Sequence, residues 1–186
     1  MAQRLTEVIS PTQYECILPI EDGAEAFVEV LNANGVEFIF LAPGTDTIAV
    51  QEAIARMRDK GRPTPKVVLA LHESAGMAAA HGHFMVSGRP QVCMVHVDVG
   101  TQNIGGAIQN AFKGEAGVLL CSGITPYTTD GEERAGRTGI HNWLQEPMIQ
   151  ASSVRENVKW LYELRTARNI NQIVQRALQK IGRAHV

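Results

Sequence analysis

Lys66–Ala80 reads KVVLALHESAGMAAA, and its interpretation decides the fold. Val67 to Leu71 form an unbroken apolar run behind Pro63 and Pro65. Such a run predicts a strand buried on both faces, as in a parallel sheet. After His72 and Glu73 come Ser74, Ala75, Gly76, Ala78, Ala79 and Ala80. These predict a helix that Ser74 can cap and whose small residues allow close packing. Glu73 is thereby placed at the carboxyl end of a strand and the mouth of a helix, where ligands bind in open α/β sheets. A carboxylate there is costly unless paired or neutralised. On spacing alone, the plainer reading is a glutamate stabilised by a helix N-terminus.

The flanking sequence extends the pattern. Upstream, Ala24–Asn34 has Phe27, Val28, Val30 and Leu31 on one face and Glu25, Glu29 and Asn32 on the other. That is an amphipathic helix, with Gly35 as its stop. Val36–Ala42 (VEFIFLA) predicts a second buried strand, ending in the turn Pro43–Gly44–Thr45–Asp46. Thr45 or Asp46 can cap a helix running to about Lys60. Downstream, Pro90–Val99 predicts a third strand, and Gly100–Thr101–Gln102–Asn103 turns into a helix that Lys113–Gly114–Glu115 closes. Ala116–Ile124 predicts a fourth strand. Alternating helices and strands imply a doubly wound, mainly parallel α/β sheet with helices on both faces. Beyond it, Tyr127–Gly139 reads as a surface loop, of a length that is often functional or mobile. Trp143–Ala151 reads as a short helix, Val158–Leu164 as a fifth strand and Asn169–Ile181 as a final amphipathic helix. Tyr14–Ile20 fits an edge strand or an extended arm. The expected organisation is an arm at 1–20, one domain at 21–182 and a tail at 183–186.

Composition narrows the partners. At 186 residues, 45% hydrophobic, the chain is long enough to bury a sizeable core. A net charge of −2 gives no electrostatic footprint for nucleic acid or an anionic membrane surface. The longest apolar runs are far too short to span a bilayer. The N-terminus has no apolar signal-peptide core, so a reducing cytoplasm is the expected compartment. Cys93 and Cys121 lie within apolar runs and read as buried free thiols; with Cys16 the count is odd, and no CxxC occurs.

Common chemical signatures are missing. No GxGxxG follows a strand, and neither GxxxxGK[ST] nor GxSxG is present. His81 and His83, two apart on a helix, point in different directions. His96 reads as a satisfied strand histidine. Asp98 ends its strand and can cap the next helix as easily as act on a substrate.

Two stretches carry a resemblance. Gly23–Gly44 (GAEAFVEVLNANGVEFIFLAPG) and the later LHESAGMAAAHGHFMVSGRPQVCMV resemble the N-terminal pyrimidine-binding domain of thiamine diphosphate-dependent enzymes, the acetolactate synthase-like family and its decarboxylase cousins. The shared order is helix, strand ending Pro-Gly, strand ending His-Glu, Ala-rich helix, then another strand. The resemblance extends over about residues 20–182.

The resemblance implies a thiamine diphosphate-binding fold and chemistry on a small 2-oxo acid, by decarboxylation or carboligation. It implies that Glu73 hydrogen-bonds N1′ of the cofactor's aminopyrimidine and favours the imino tautomer that deprotonates the thiazolium carbon. Pro43 and Gly44 match the family's cofactor-side turn. Asn103 matches the asparagine ending the family's Gly-Pro-Gly-Ala-Thr-Asn turn, although Asp98–Asn103 lacks its first Gly and its Pro. Gln145 matches the glutamine of an Ala-Phe-Gln-Glu segment and is implied near cofactor and substrate, with Leu144 in the aromatic position. Lys159 falls near a family lysine with a substrate-side role, and equally reads as a solvated strand lysine. Family enzymes bind the cofactor diphosphate and magnesium on a separate domain with a Gly-Asp-Gly…Asn signature, which this sequence lacks. The expected partner is therefore a diphosphate-binding domain or subunit, in a homo- or hetero-oligomer, with the chain inactive alone. A non-catalytic regulatory domain of the same fold and a different Rossmann-like small-molecule binder are the rival readings.

Overall fold

The computed structural model describes residues 19–132 and 136–182. The first helix, α1 (Gly23–Ala33), is capped by Asp22, whose Oδ1 accepts from Glu25 N at 2.9 Å. Past α1 the chain turns at Gly35, where φ is +72°, a conformation that favours glycine. The chain continues as β1 (Phe38–Leu41), α2 (Ile48–Asp59), β2 (Lys66–Leu69), α3 (Glu73–Ser87), β3 (Gln91–Val95), α4 (Val97–Asn103), α5 (Gly105–Lys113), β4 (Val118–Ser122), α6 (His141–Leu144) and α7 (Ile170–Gly182).

The strands form one sheet in the order β2-β1-β3-β4, with every pair parallel. Side chains alternate across it. Ile39, Leu41, Val92 and Met94 pack under α1, α2 and α7, against Leu31, Met57 and Val174. Phe40, Cys93 and Val95 face the other way, against Met77 and Ala80 of α3 and Ile108 and Ala111 of α5. Each such fully buried side chain is worth about 1.5–3 kcal/mol relative to exposure. From β1 the chain moves outward to β2, then returns to the far side of β1 as β3. The order therefore reverses between β1 and β3, and their carboxyl ends flank a crevice.

Several expectations need correction. β2 is not buried on both faces: among the described residues it is an outer strand of the sheet, exposed at all four residues, and Leu71 beyond it is 96% exposed. An apolar run fixes the strand but not its place in the sheet order. The third strand ends at Val95, not Val99. Asp46 accepts from Val97 N at 3.1 Å, and α4 begins there, so Gly100–Asn103 lie inside a helix. Asp98 consequently sits in the first turn of α4 and does not end the strand. His72, not Ser74, caps α3: its Nδ1 accepts from Ser74 N at 3.2 Å. Neither Thr45 nor Asp46 caps α2, because Thr45–Thr47 form a separate 3₁₀ turn in which Gly44 N donates to Thr47 Oγ1 at 3.1 Å.

The expected helix at 143–151 stops at Leu144, because Pro147 disfavours helical geometry in the residue before it; a 3₁₀ turn follows at Gln150–Ser153. Val158–Leu164 is irregular. Its Trp160 and Tyr162 stack on one another, rings 5.8 Å apart, and it pairs with no strand among the described residues. The loop after β4 is pinned by Arg137, whose Nε donates to Pro126 O at 2.9 Å and whose guanidinium lies 4.4 Å over the Trp143 ring. Glu25, placed on the polar face of α1, is 0% exposed: it pairs with Arg62 and accepts from Glu21 N at 2.6 Å. The expected arm, apart from residues 19 and 20, lies outside the described residues, as do the tail and Cys16.

Candidate active site

Glu73 is the first residue of α3, carried there by β2 and the short extended segment after it. Its side chain is 16% exposed. Oε2 accepts from Asn103 Nδ2 at 3.0 Å, and Asn103 is the last residue of α4. Ser74 Oγ donates to the Asn103 carbonyl at 2.5 Å. Two adjacent residues of α3 thus clasp one residue of α4 by its side chain and its backbone. Oε1 has no hydrogen-bond partner among the described residues. It faces Gly100, where a Cβ would stand 3.2 Å away. His72 Nδ1 lies 4.0 Å from Oε2, with its ring largely exposed.

A second group lies at the carboxyl ends of β1 and β3. Asp46, just after β1, pairs through Oδ1 with Nδ1 of His96, the residue between β3 and α4, while Oδ2 accepts from Val97 N. The sequence reading passed over this pair, since Asp46 and His96 are fifty positions apart. It also missed Gln150. Gln150 Nε2 donates to Ser122 Oγ at 2.5 Å and to Gly123 O at 2.6 Å, and Ser122 Oγ shares a hydrogen bond with Thr101. Gln150 thereby docks its 3₁₀ turn onto α4 and β4. No local sequence signal marks it.

The remaining candidates separate. Gly44 is part of the Asp46–His96 packing, where a Cβ would overlap the His96 ring. Pro43 is exposed beside it. Gln145 caps the end of α6, its backbone N donating to His141 O at 3.0 Å. Lys159 is exposed on an irregular segment, not on a strand. Cys93 and Cys121 are free thiols, and burial pushes both up to about 12. Among the described residues no three His, Cys, Asp or Glu side chains converge as a metal site, and no helix is long and apolar enough to cross a membrane.

The family model for the thiamine pyrophosphate enzyme N-terminal TPP-binding domain matches residues 21–153. The chain belongs to this family. Among curated proteins, this thiamine pyrophosphate enzyme domain is similar to acetolactate synthase 3, chloroplastic, of Brassica napus. The identity is 27% over 155 residues, covering 83% of this chain and 22% of that protein. It is also similar to benzoylformate decarboxylase of Pseudomonas aeruginosa, 25% identical over 154 residues, covering 83% of this chain and 26% of that one. Among solved structures it superposes on the thiamine diphosphate-dependent 4-hydroxybenzoylformate decarboxylase of Rhodococcus jostii RHA1. There the TM-score is 0.69 at 22% identity, covering 85% of this chain and 27% of that one. At that identity the likeness establishes the fold, which is the α/β fold of thiamine enzymes. The domain spans 22–27% of the length of these relatives.

The residues at the strand ends fit the aminopyrimidine end of the family's cofactor. A carboxylate pinned through one oxygen leaves the other to accept from a ring N–H, and the missing side chain at Gly100 keeps that oxygen uncovered.

Proposed function

We propose that this domain is the pyrimidine-binding half of a thiamine diphosphate-dependent enzyme acting on a small 2-oxo acid, by decarboxylation or carboligation. The observation that carries the reading is Glu73, with Oε2 held by Asn103 and Oε1 open beside Gly100. When bound, thiamine diphosphate supplies the electron sink for cleavage next to a carbonyl. The chain's own part is placement. Glu73 Oε1 holds a proton at N1′ of the pyrimidine, Asn103 fixes the carboxylate's orientation, and Ser74 fixes Asn103. Pro43, Gly44, Gln145 and Lys159 keep their proposed cofactor-side and substrate-side roles.

The diphosphate and its magnesium belong to a separate domain or subunit, in a cytoplasmic homo- or hetero-oligomer. The outward face of α3 supports that partnership. Ala75, Ala78, Ala79, Gly82, Met85 and Val86 are all exposed there and none is charged. The small residues among them suit close helix packing against a partner, and such a face is costly in water.

The experiment is turnover of pyruvate and benzoylformate with thiamine diphosphate and magnesium. It is run on the chain alone and on the protein completed with a diphosphate-binding portion, each beside Glu73→Gln. Activity confined to the completed protein and lost in Glu73→Gln is the expected result. Turnover indifferent to Glu73→Gln overturns the assignment of the carboxylate. A completed protein that binds cofactor yet turns over neither acid favours a regulatory domain.

A further inference from the structure

Two of the contacts that place Glu73 come from α4, and α4 cannot hold its own position. At seven residues it is far shorter than a helix that persists without packing. Gly100 and Asn103, three apart, meet Glu73 on one side of α4. Val97 and Thr101, four apart, turn toward β4 on another. There Thr101, 2% exposed, donates from Oγ1 to Val97 O at 2.7 Å. The start of α4 is tied by Asp46, which accepts from Val97 N, and its end by Ser74, which donates to the Asn103 carbonyl. The side toward β4 is held from the 3₁₀ turn at Gln150–Ser153.

Gln150 supplies that hold. Its Nε2 lies 2.5 Å from Ser122 Oγ, 2.6 Å from Gly123 O and 3.3 Å from Thr101 Oγ1, while its Oε1 is buried without a partner among the described residues. The proton inventory explains this orientation. The Thr101 hydroxyl gives its proton to Val97 O, and Ser122 Oγ, 3.2 Å from the same carbonyl, has one to give. Gly123 O and the Ser122 oxygen then need donors, and the two N–H bonds of one amide provide both. Gly123 O also stands 3.4 Å from Ser122 Oγ, so without Gln150 it competes for the hydroxyl proton that now serves α4. Position 123 must stay without a side chain, because a Cβ there would stand 1.4 Å from Asp46 Oδ2. Closing the turn needs none of this: Ser152 Oγ donates to Ile149 O and Ser153 Oγ to Gln150 O.

We propose that Gln150 is a positioning residue for Glu73, acting through α4. The proposal rests on the cofactor role given to Glu73 above. Gln150 fixes Ser122, Ser122 and Thr101 fix the middle of α4, and α4 sets Asn103 and Gly100 against the carboxylate. The tolerance is small. A Cβ at Gly100 would stand 3.2 Å from Glu73 Oε1 and 3.4 Å from Val95 Cβ, so α4, the carboxylate and the sheet are already close to contact. An α4 that drifts takes the Asn103 amide with it and frees the carboxylate to turn away from the pyrimidine. Gln150 itself takes no part in the reaction.

Gln150→Glu keeps the shape, removes both donors and sets a carboxylate against Gly123 O; Gln150→Leu removes the polar group altogether. Arg62→Met is the control, since it weakens the fold at α1 and leaves α4 alone. The first readout needs no cofactor: the Asn103 side-chain amide signal in ¹⁵N–¹H NMR of the full chain, assigned by its loss in Asn103→Ala. In both Gln150 variants it should move toward the position it takes in Glu73→Ala, where its acceptor is gone, and in Arg62→Met it should stay. The second readout is the completed enzyme. There kcat should fall about tenfold in the Gln150 variants, with KM for the 2-oxo acid within about twofold of wild type. Gln150→Leu combined with Asn103→Ala should turn over no more slowly than Asn103→Ala alone, as expected of two residues on one path. An Asn103 signal that stays put in the Gln150 variants overturns the proposal, as does a loss of turnover that only matches Arg62→Met or adds to that of Asn103→Ala. Glu73→Gln run alongside separates the two ideas: turnover indifferent to it removes the cofactor role, and the NMR result still decides whether Gln150 positions Asn103.

Discussion

Gly100→Ala tests how tightly Glu73 is placed. Gly100 lies inside α4, where alanine is favoured over glycine by about 1 kcal/mol. If the new methyl group fitted freely, the variant would be the more stable protein. It does not fit freely: its Cβ would stand 3.2 Å from Glu73 Oε1, 3.4 Å from Glu73 Cγ and 3.4 Å from Val95 Cβ. Val95 is fixed in the core, so the carboxylate must give way. Moving it strains the hydrogen bond from Asn103. A bond to a charged acceptor is worth about 1.5–3 kcal/mol when buried, and nearer 1 kcal/mol after solvent screening at this partly exposed site. Gain and loss nearly offset, and the melting temperature is expected to stay within about 4 °C of wild type. Function has no such compensation. A displacement of a few tenths of an ångström at a group that must meet a ring nitrogen should cost about tenfold in turnover. Thermal melting of the chain and 2-oxo acid turnover of the completed protein measure the two effects. A variant that melts several degrees higher with unchanged turnover would refute the packing argument, because Glu73 would then have yielded without consequence.

Three further outcomes follow from other parts of the molecule. Arg62→Met strands Glu25, fully buried at the start of α1, and should lower the urea midpoint; adding Glu25→Met should recover much of the loss, and an unchanged midpoint in the single variant would refute the pairing. In a Cys16→Ser background, Cys93 and Cys121 should resist thiol reagents at mildly alkaline pH until urea unfolds the chain, since burial pushes both thiols up to about 12; rapid labelling of the native protein would contradict this. The hydrogen bond from Arg137 holds Glu146 below its ordinary value of 4.5, so the clasp over Trp143 is intact above that pH and lost as the pH falls through the lowered value. Trp143 fluorescence in a Trp160→Phe background should therefore change only below pH 4.5, and Glu146→Gln should remove the transition.

What was legible in the sequence was local. β1 and β3 follow from apolar runs bounded by turn residues, and the end of α1 follows from Gly35. α7 follows from Ile170, Val174 and Leu178 at helical spacing, with the first two buried and Leu178 packed on the core. Glu73 at a strand end was readable because β2 and α3 are continuous with it. The remaining features depend on which elements meet in space. The run Val67–Leu71 looks like a central strand, yet the crossover to β3 leaves it at the edge. Glu25 reads as a surface residue until Arg62, thirty-seven positions away, is brought against it. The partnership of Asp46 with His96 exists only because β1 and β3 lie side by side, with two glycines clearing the space. Val158–Leu164 has strand composition but pairs with no strand among the described residues, and composition alone does not create a hydrogen-bonding partner.

The position of β2 has a practical side. Among the described residues the strand that leads to Glu73 is hydrogen-bonded to β1 alone, and its Val67, Val68 and Leu69 side chains are exposed. A bare apolar edge is a template for intermolecular ladders. Overexpressed by itself, this polypeptide would stick to its own copies through the segment that holds the glutamate. Coexpression with whatever shields that edge is the route to material fit for measurement, and a lysine or proline at Val68 is the alternative when no shield is at hand.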